Sequence, residues 1–288
     1  MSDAMNQDLS STTTGRSGYT INTYSYTQRY SAHECLQKLS DRGYRSFELM
    51  MVPGHFWPSL ADRNDRDAIS RLLASRHLKI EIINQPALDI NLSSSVPEMR
   101  QHSCSMITYA LELAAEWGAE AVVINPGKAN PVFTPPKESL HEWFSRSLDS
   151  IMKSARQYNV QILVKNHPLS FLYRSDDLVT FFDSYGWDRI VLGYDFANGY
   201  FGKEDPLVAL ANLTGRLGVV YAADTTLDDF QHAVVGTGAV RFAEVAQALR
   251  EQQYSGPTVL EIVSQAPDES IDKSVAYLDN VNWPTRPR

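Results

Sequence analysis

Eight short runs of β-forming apolar residues alternate along the chain with longer segments of helical periodicity. This alternation is typical of repeated strand–helix units, which build a parallel sheet with helices packed on its outer face. Eight such units close most simply into a single α/β barrel of the (β/α)8 type. The predicted strands are residues 19–26, 46–51, 78–84, 119–125, 160–165, 189–195, 217–224 and 257–263.

The length of the chain agrees with one such barrel. A (β/α)8 or TIM barrel needs about 250 residues, and the chain has 288. Both ends are polar and lack hydrophobic periodicity, so we predict a flexible N-terminal tail (1–18), a barrel (19–280) and a C-terminal tail (281–288). The predicted helices are residues 31–43, 65–77, 98–118, 138–159, 175–186, 205–215, 240–253 and 268–280.

Charge and composition exclude some classes of function. The formal net charge is −8 and no stretch is rich in Lys and Arg, which argues against nucleic acid as a partner, because its phosphates require clustered positive charge. No apolar run approaches the roughly 18 residues of a membrane span, and the N-terminus lacks the pattern of a secretory signal. We therefore expect a cytoplasmic protein with no membrane partner.

Polar residues follow most of the predicted strands. In a (β/α)8 barrel, the chemistry takes place at the C-terminal ends of the strands. Any single polar residue there could simply pair with the backbone between a strand and a helix, but their convergence at one end of the barrel predicts a polar site. The residues expected there are Glu48, Asn84, Gln85, Asn125, Lys165, His167, Asp195, Asn198, Tyr221, Asp224 and Glu261.

Several stretches resemble the xylose isomerase-like barrel family. They are SFELM, AVVINPG, ILVKNHP, VLGYDFANGYFGKEDP, VVYAADTTLDDFQHAVVGTGAVRF and SGPTVLEIV. The resemblance implies a TIM barrel and one of the family's reactions, such as isomerisation, epimerisation or dehydration of a sugar or polyol. It also implies a homo-oligomer. The family's AP endonuclease branch is disfavoured, because its histidine-rich metal set is largely missing and the chain is acidic.

The chain departs from the metal site that this resemblance implies. Members usually hold a divalent ion with Glu, Asp, His and Glu at the ends of strands five to eight. The matching residues here are Lys165, Asp195, Tyr221 and Glu261. Two carboxylates alone hold Mg²⁺ or Mn²⁺ weakly, because these ions require about six donors.

Other positions of the family's motifs are partly kept. The histidine that commonly follows the sixth-strand Asp is Asn198, and the fourth-strand histidine is Asn125. The seventh-strand Asp is kept as Asp224, and the histidine before the GTG turn is kept as His232.

We predict that the Lys165 ammonium replaces the ion. At an effective dielectric of about 20, two unit charges about 4 Å apart interact by about 4 kcal/mol, and a divalent ion beside the ammonium would be repelled about twice as strongly. The ammonium would instead be attracted to Asp195 and Glu261. No cofactor is therefore predicted, and a divalent metal (Mn, Mg or Zn) is disfavoured.

The predicted function is that of an isomerase, epimerase or lyase acting on a small sugar, polyol or sugar acid through an enolate-like intermediate. Lys165 would stabilise the oxyanion, with Asp195 beside it. Glu261 or Glu48 would transfer the proton, and His232 would act as an acid or anchor.

Further residues are predicted to bind the substrate. Tyr221, Asp224, Asn198, His167 and Asn125 would do so from the strand ends. The loop PGHFWP adds His55 and Trp57, for which anchoring of the loop is the competing interpretation.

Three alternatives stay open at this point. Lys165 could form a Schiff base, although nearby carboxylates raise its pKa and oppose this. A rearranged metal site could use Asp195, Asp224, His232 and Glu261, with His167 as an added ligand. The third alternative is a non-catalytic barrel that binds a sugar or serves in an assembly.

Overall fold

The computed structural model describes residues 18–85 and 89–286, and the fold is a closed barrel of eight parallel strands. Each strand pairs with its two neighbours in chain order, and β1 closes the barrel against β8. This confirms the predicted single (β/α)8 TIM barrel. The strands are β1 (Thr20–Asn22), β2 (Ser46–Met50), β3 (Lys79–Asn84), β4 (Ala121–Ile124), β5 (Gln161–Lys165), β6 (Ile190–Asp195), β7 (Leu217–Ala222) and β8 (Thr258–Leu260).

Helices fill every connection between the strands, as predicted. Two short elements differ from the prediction: a 3₁₀ turn at Tyr24–Tyr26, within the segment predicted to belong to β1, and helix α6 directly after β6. The α-helices are α1 (Ala32–Asp41), α2 (Arg63–Arg76), α3 (Pro97–Trp117), α4 (Lys137–Tyr158), α5 (Ser175–Tyr185), α6 (Phe196–Phe201), α7 (Pro206–Asn212), α8 (Phe242–Glu251) and α9 (Pro267–Asn280).

Local capping explains where the first two helices begin. The Ser31 hydroxyl accepts the Glu34 N–H, and the Glu34 carboxylate accepts the Ser31 N–H, which closes a capping box at α1. Asp62 and Asp65 form the same reciprocal pair at α2. These caps satisfy backbone donors that the helix leaves free.

The apolar core has two layers, and the inner one positions the site. A larger cluster lies between the helices and the outer face of the sheet. Successive side chains of a strand point to opposite faces, so every second residue points into the barrel. The inner cluster consists of Ile82, Ala121, Val123, Leu163, Val219, Tyr221 and Val259.

The segment after α9, where a C-terminal tail (281–288) is predicted, packs against the barrel. Trp283 is buried, and its indole N–H donates to the Thr258 hydroxyl at 2.9 Å. Arg286 pairs with Glu81 at 3.2 Å, and the other Glu81 oxygen accepts the Thr20 hydroxyl. Residues 287–288, and all of the predicted N-terminal tail except Gly18, lie outside the described residues.

Within the described ranges, no helix has both the length and the apolar character that crossing a membrane requires.

We predict that Trp283→Ala lowers the free energy of unfolding by about 3 kcal/mol, because it leaves a cavity in the outer core. Thr285→Ala, an exposed position in the same segment, should change it by less than about 0.5 kcal/mol. Urea denaturation measures both, and equal stability of Trp283→Ala and the native protein would contradict the packed position of the indole.

Candidate active site

Lys165 ends β5 with its side chain directed into the barrel. Leu163, two residues earlier, belongs to the inner cluster, and the alternation along the strand gives Lys165 the same direction. The Lys165 Nζ lies 2.6 Å from Glu261 Oε2 and 3.3 Å from Asp195 Oδ2. The structure therefore brings together the three residues predicted to form the centre of the site.

The surroundings of Lys165 keep it charged. Burial disfavours the ammonium, but the Glu261 and Asp195 carboxylates outweigh burial and raise the pKa of Lys165 above its ordinary value. The ammonium also lies 4.2 Å from the centre of the Tyr221 ring, a cation–π distance. Such a lysine is a permanent cation and a poor Schiff-base nucleophile at neutral pH.

His232 completes the centre from the loop after β7. Its Nε2 lies 3.2 Å from Asp195 Oδ2 and 3.8 Å from Glu261 Oε1. Burial disfavours the imidazolium, but Asp195 and Glu261 raise the pKa of His232 above its ordinary value. Burial likewise opposes ionisation of Asp195, yet His232 and Lys165 hold the pKa of that carboxyl well below its usual range. Lys165 and His232 thus both face the two carboxylates.

Glu48 forms a second, fully buried layer beneath the centre. Its Oε1 accepts the amides of Asn22 and Asn84, both at 2.7 Å, and its Oε2 accepts the Tyr221 hydroxyl at 2.7 Å. Burial and the Glu261 charge raise the pKa of Glu48 to about 7. Both oxygens are engaged away from solvent, so the geometry does not fit the predicted direct proton transfer by Glu48. It also does not fit direct substrate binding by Tyr221.

Asp224 holds a loop and does not join the centre. Its carboxylate accepts the backbone N–H groups of Thr225, Gly236 and Val240 at 2.9 to 3.1 Å. A Cβ at Gly238 would collide with this carboxylate, which accounts for the glycine. Asp224 was predicted to bind substrate or metal, but its oxygens are used to shape the segment that carries His232.

Asn198 and Asn125 hold the backbone around the two neighbouring strand ends. The Asn198 amide donates to the Asn166 carbonyl at 2.9 Å, and its backbone N–H donates to Asp195 Oδ1 at 3.0 Å. The Asn125 amide donates to the Lys165 carbonyl at 3.1 Å.

His167 borders the centre as a neutral ring. Its Nδ1 accepts the Leu169 N–H at 3.2 Å. Burial and the nearby Lys165 charge lower the pKa of His167 to about 4. The proton of the neutral ring therefore lies on Nε2, which makes that nitrogen a hydrogen-bond donor.

His55 and Trp57 belong to a separate environment. The buried His55 ring bonds the Tyr30 carbonyl at 2.7 Å and the Thr23 hydroxyl at 3.0 Å, so it anchors its loop. Trp57 packs against the outer core. Both line a cavity of about 330 Å³ that also borders Ile69 of α2. The geometry favours the loop-anchor interpretation over substrate binding.

Two residues of this network were missed in the sequence. Asn22 ends β1 and donates to Glu48, whereas the sequence predicts a strand that continues to residue 26 and so places Asn22 in its middle. Asn166 donates to the Asp195 carbonyl at 3.2 Å and accepts the Asp195 N–H at 2.7 Å. This two-point bridge fixes the ends of β5 and β6 together. The only feature of the sequence that points to Asn166 is its position directly after Lys165 at the end of a strand.

Among the described residues, one group of side chains could hold a metal ion. Its ligand atoms lie within 4.8 Å of one another, and its members are Asp195, His232 and Glu261. The fourth member of the rearranged site, Asp224, is outside this group. The Lys165 ammonium contacts both carboxylates of the group.

We predict that the two histidines at the site titrate on opposite sides of the ordinary value of about 6.5. NMR titration should give a pKa above that value for His232 and near 4 for His167. Because the folded pKa of His232 is raised, its protonation stabilises the fold below about pH 6.5, and that stability is lost as pH rises through the folded pKa.

Asp195→Asn should lower the pKa of His232, since it removes the closer carboxylate. Asp228→Asn, an exposed position on the same loop, is the control and should leave it nearly unchanged. An unaltered His232 titration in Asp195→Asn would contradict the ion pair.

Comparisons with known proteins agree with this architecture. An uncharacterized protein of Methanocaldococcus jannaschii is 24% identical over 237 residues, which cover 78% of this chain and 77% of that protein. A D-tagatose 3-epimerase-like protein superposes with a TM-score of 0.77 at 20% identity, over 91% of this chain and 98% of that chain. The 3-keto-D-glucoside 4-epimerase of E. coli gives 0.75 at 17% identity, over 92% and 99%.

At these identities, the two structural similarities concern the fold alone. The model of the family described as xylose isomerase-like TIM barrel matches residues 36–281, which is most of the chain. The chain therefore belongs to the xylose isomerase-like TIM barrel family.

Proposed function

We propose that the protein is an isomerase or epimerase of a small sugar, polyol or sugar-acid carbonyl compound, and that it works through an enolate-like intermediate. Family membership and the epimerase names of the structural neighbours support the reaction class. The observation that carries the proposal is the contact of Glu261 with Lys165 at 2.6 Å and with His232 at 3.8 Å. A candidate base thus adjoins an ammonium and an imidazole that can donate hydrogen bonds to a developing oxyanion.

Exposure separates the groups that can touch a substrate from those that position them. Glu261 and His232 keep 9% and 13% of their side chains exposed, and Lys165 is also slightly exposed. Asp195 and Glu48 are fully buried. We therefore assign the chemistry to the first three residues and the positioning of the ammonium and imidazolium to the buried carboxylates.

The proposed step moves one proton. Glu261 removes it from the carbon beside the carbonyl, the C–H electron pair forms a carbon–carbon double bond, and the carbonyl oxygen becomes negative. Lys165 and protonated His232 donate hydrogen bonds to that oxygen. Return of a proton to the opposite face of the same carbon gives the epimer. The isomer forms when the hydroxyl on that carbon passes its proton to the enolate oxygen and the former carbonyl carbon receives the proton that Glu261 removed. Elimination of a hydroxyl from the same enolate would give a lyase.

Within this proposal, Lys165 takes the place of the family's divalent ion. Its ammonium contacts the two carboxylates that would otherwise bind the metal. An ion at that position would collide with the ammonium or be repelled by it, so these residues fit a lysine better than Mg²⁺, Mn²⁺ or Zn²⁺. No step is therefore assigned to a metal.

Metal binding tests the replacement. The native protein should bind Mn²⁺ negligibly, as measured by calorimetry and elemental analysis. Lys165→Glu should bind Mn²⁺ at least about a hundredfold more tightly, because it adds a fourth ligand to Asp195, His232 and Glu261 and removes the repelling charge. Lys137→Glu makes the same change on an exposed surface and should bind no Mn²⁺. Stoichiometric Mn²⁺ in the native protein, with no gain in Lys165→Glu, would overturn the replacement.

Solvent exchange tests the reaction. In deuterated water, the native protein should introduce deuterium beside the carbonyl of at least one compound in a panel of ketoses, inososes and sugar acids. Glu261→Gln should slow this uptake at least about a hundredfold, since it removes the base. Glu138→Gln, on the exposed surface, should retain the native rate. Saturable binding without any exchange would instead support a non-catalytic carbohydrate-binding barrel.

A further inference from the structure

Three apolar side chains lie at the mouth of the barrel, and the proposed proton transfer does not use them. Leu169, Phe230 and Val263 keep 57%, 38% and 48% of their surface exposed. They belong to the loops that follow β5, β7 and β8, the strands that surround Lys165 and Glu261. We call these three residues the apolar rim.

The apolar rim is continuous with the polar centre. The Phe230 ring lies 5.5 Å from the His232 ring and 6.2 Å from the His167 ring, edge to face in both cases. The Val263 N–H donates to the His232 carbonyl at 2.8 Å, and the Leu169 N–H donates to the His167 ring. The exposed Phe230 ring therefore lies beside the His232 imidazole, and the backbones of Val263 and Leu169 adjoin the two histidines.

Phe230 has a defined position in the rim. The Phe201 ring at the end of α6 lies 4.8 Å from the Phe230 ring at an angle of 31°. This packing holds one side of Phe230 in place while part of the ring stays exposed. Phe230 thus offers a preformed apolar surface, which costs little ordering when a ligand covers it.

Exposed apolar surface next to a polar site indicates that a ligand of the site has an apolar part that covers this surface. Covering apolar area is favourable by about 25 cal/mol per Å², whereas a hydroxyl group placed against the rim would lose water without gaining a hydrogen bond. We propose that the substrate is a glycoside-like compound with an aryl or alkyl substituent. The rim binds the substituent, and the polyhydroxy carbonyl part reaches Lys165, Glu261 and His232. The inference rests on the proposed function, which supplies the carbohydrate part.

Calorimetry with matched methyl and phenyl keto-glycosides, in which one ring carbon is oxidised to a carbonyl, tests the rim. For keto derivatives of glucosides, galactosides and xylosides, the phenyl member of at least one pair should bind about tenfold more tightly than the methyl member. Phe230→Ala should abolish this preference. Phe133→Ala removes an equally large ring from the highly exposed loop between β4 and α4 and should keep it.

Equal affinities within every pair, binding of none of the pairs, or a phenyl preference that survives in Phe230→Ala would each overturn the inference. So would loss of oligomerisation in Phe230→Ala with an unchanged preference, because the rim would then be covered by a second copy of the chain. A phenyl preference that depends on Phe230, without deuterium uptake from any substrate, would support the rim and contradict the proposed enzyme.

Discussion

The contact of the Lys165 ammonium with Glu261 and Asp195 is the interaction on which the candidate site depends. Three acidic side chains, including Glu48, converge inside this barrel, and they would repel one another without a cation. A buried lysine between two carboxylates balances part of their negative charge. Such buried ion pairs seldom stabilise a fold better than apolar packing would. Within the proposed function, we therefore assign the charges at this position to chemistry.

The structure arranges this centre in layers. The fully buried Glu48 carboxylate accepts two amides and the Tyr221 hydroxyl, and the Tyr221 ring in turn lies against the ammonium. Glu261 and His232 meet solvent above it, and apolar side chains surround the opening. Within this arrangement, a proton acceptor, two proton donors and an apolar wall lie side by side. Within the proposed function, the acceptor and the donors serve proton transfer on a carbon beside a carbonyl, and the apolar wall binds a substituent of the substrate.

The fold was predictable because every βα unit repeats the same signal, and all eight strands were found within a few residues of their ends. The side chains at the strand ends were also predictable, since parallel strands bring their C-terminal ends to one face. Their hydrogen-bond partners were not. Asp224 is three residues from Tyr221 in sequence, yet its carboxylate accepts backbone N–H groups within residues 225–240. Glu48 likewise faces inward, but its carboxylate accepts three hydrogen bonds. These bonds come from residues of other strands, so the local sequence around Glu48 does not predict them.

A crystal structure of the native protein grown with millimolar Mn²⁺ tests the central claim most directly. The account predicts the Lys165 Nζ between the Glu261 and Asp195 carboxylates and no anomalous signal at that position. A manganese peak coordinated by Asp195, His232 and Glu261, with the Lys165 side chain turned away, would contradict it.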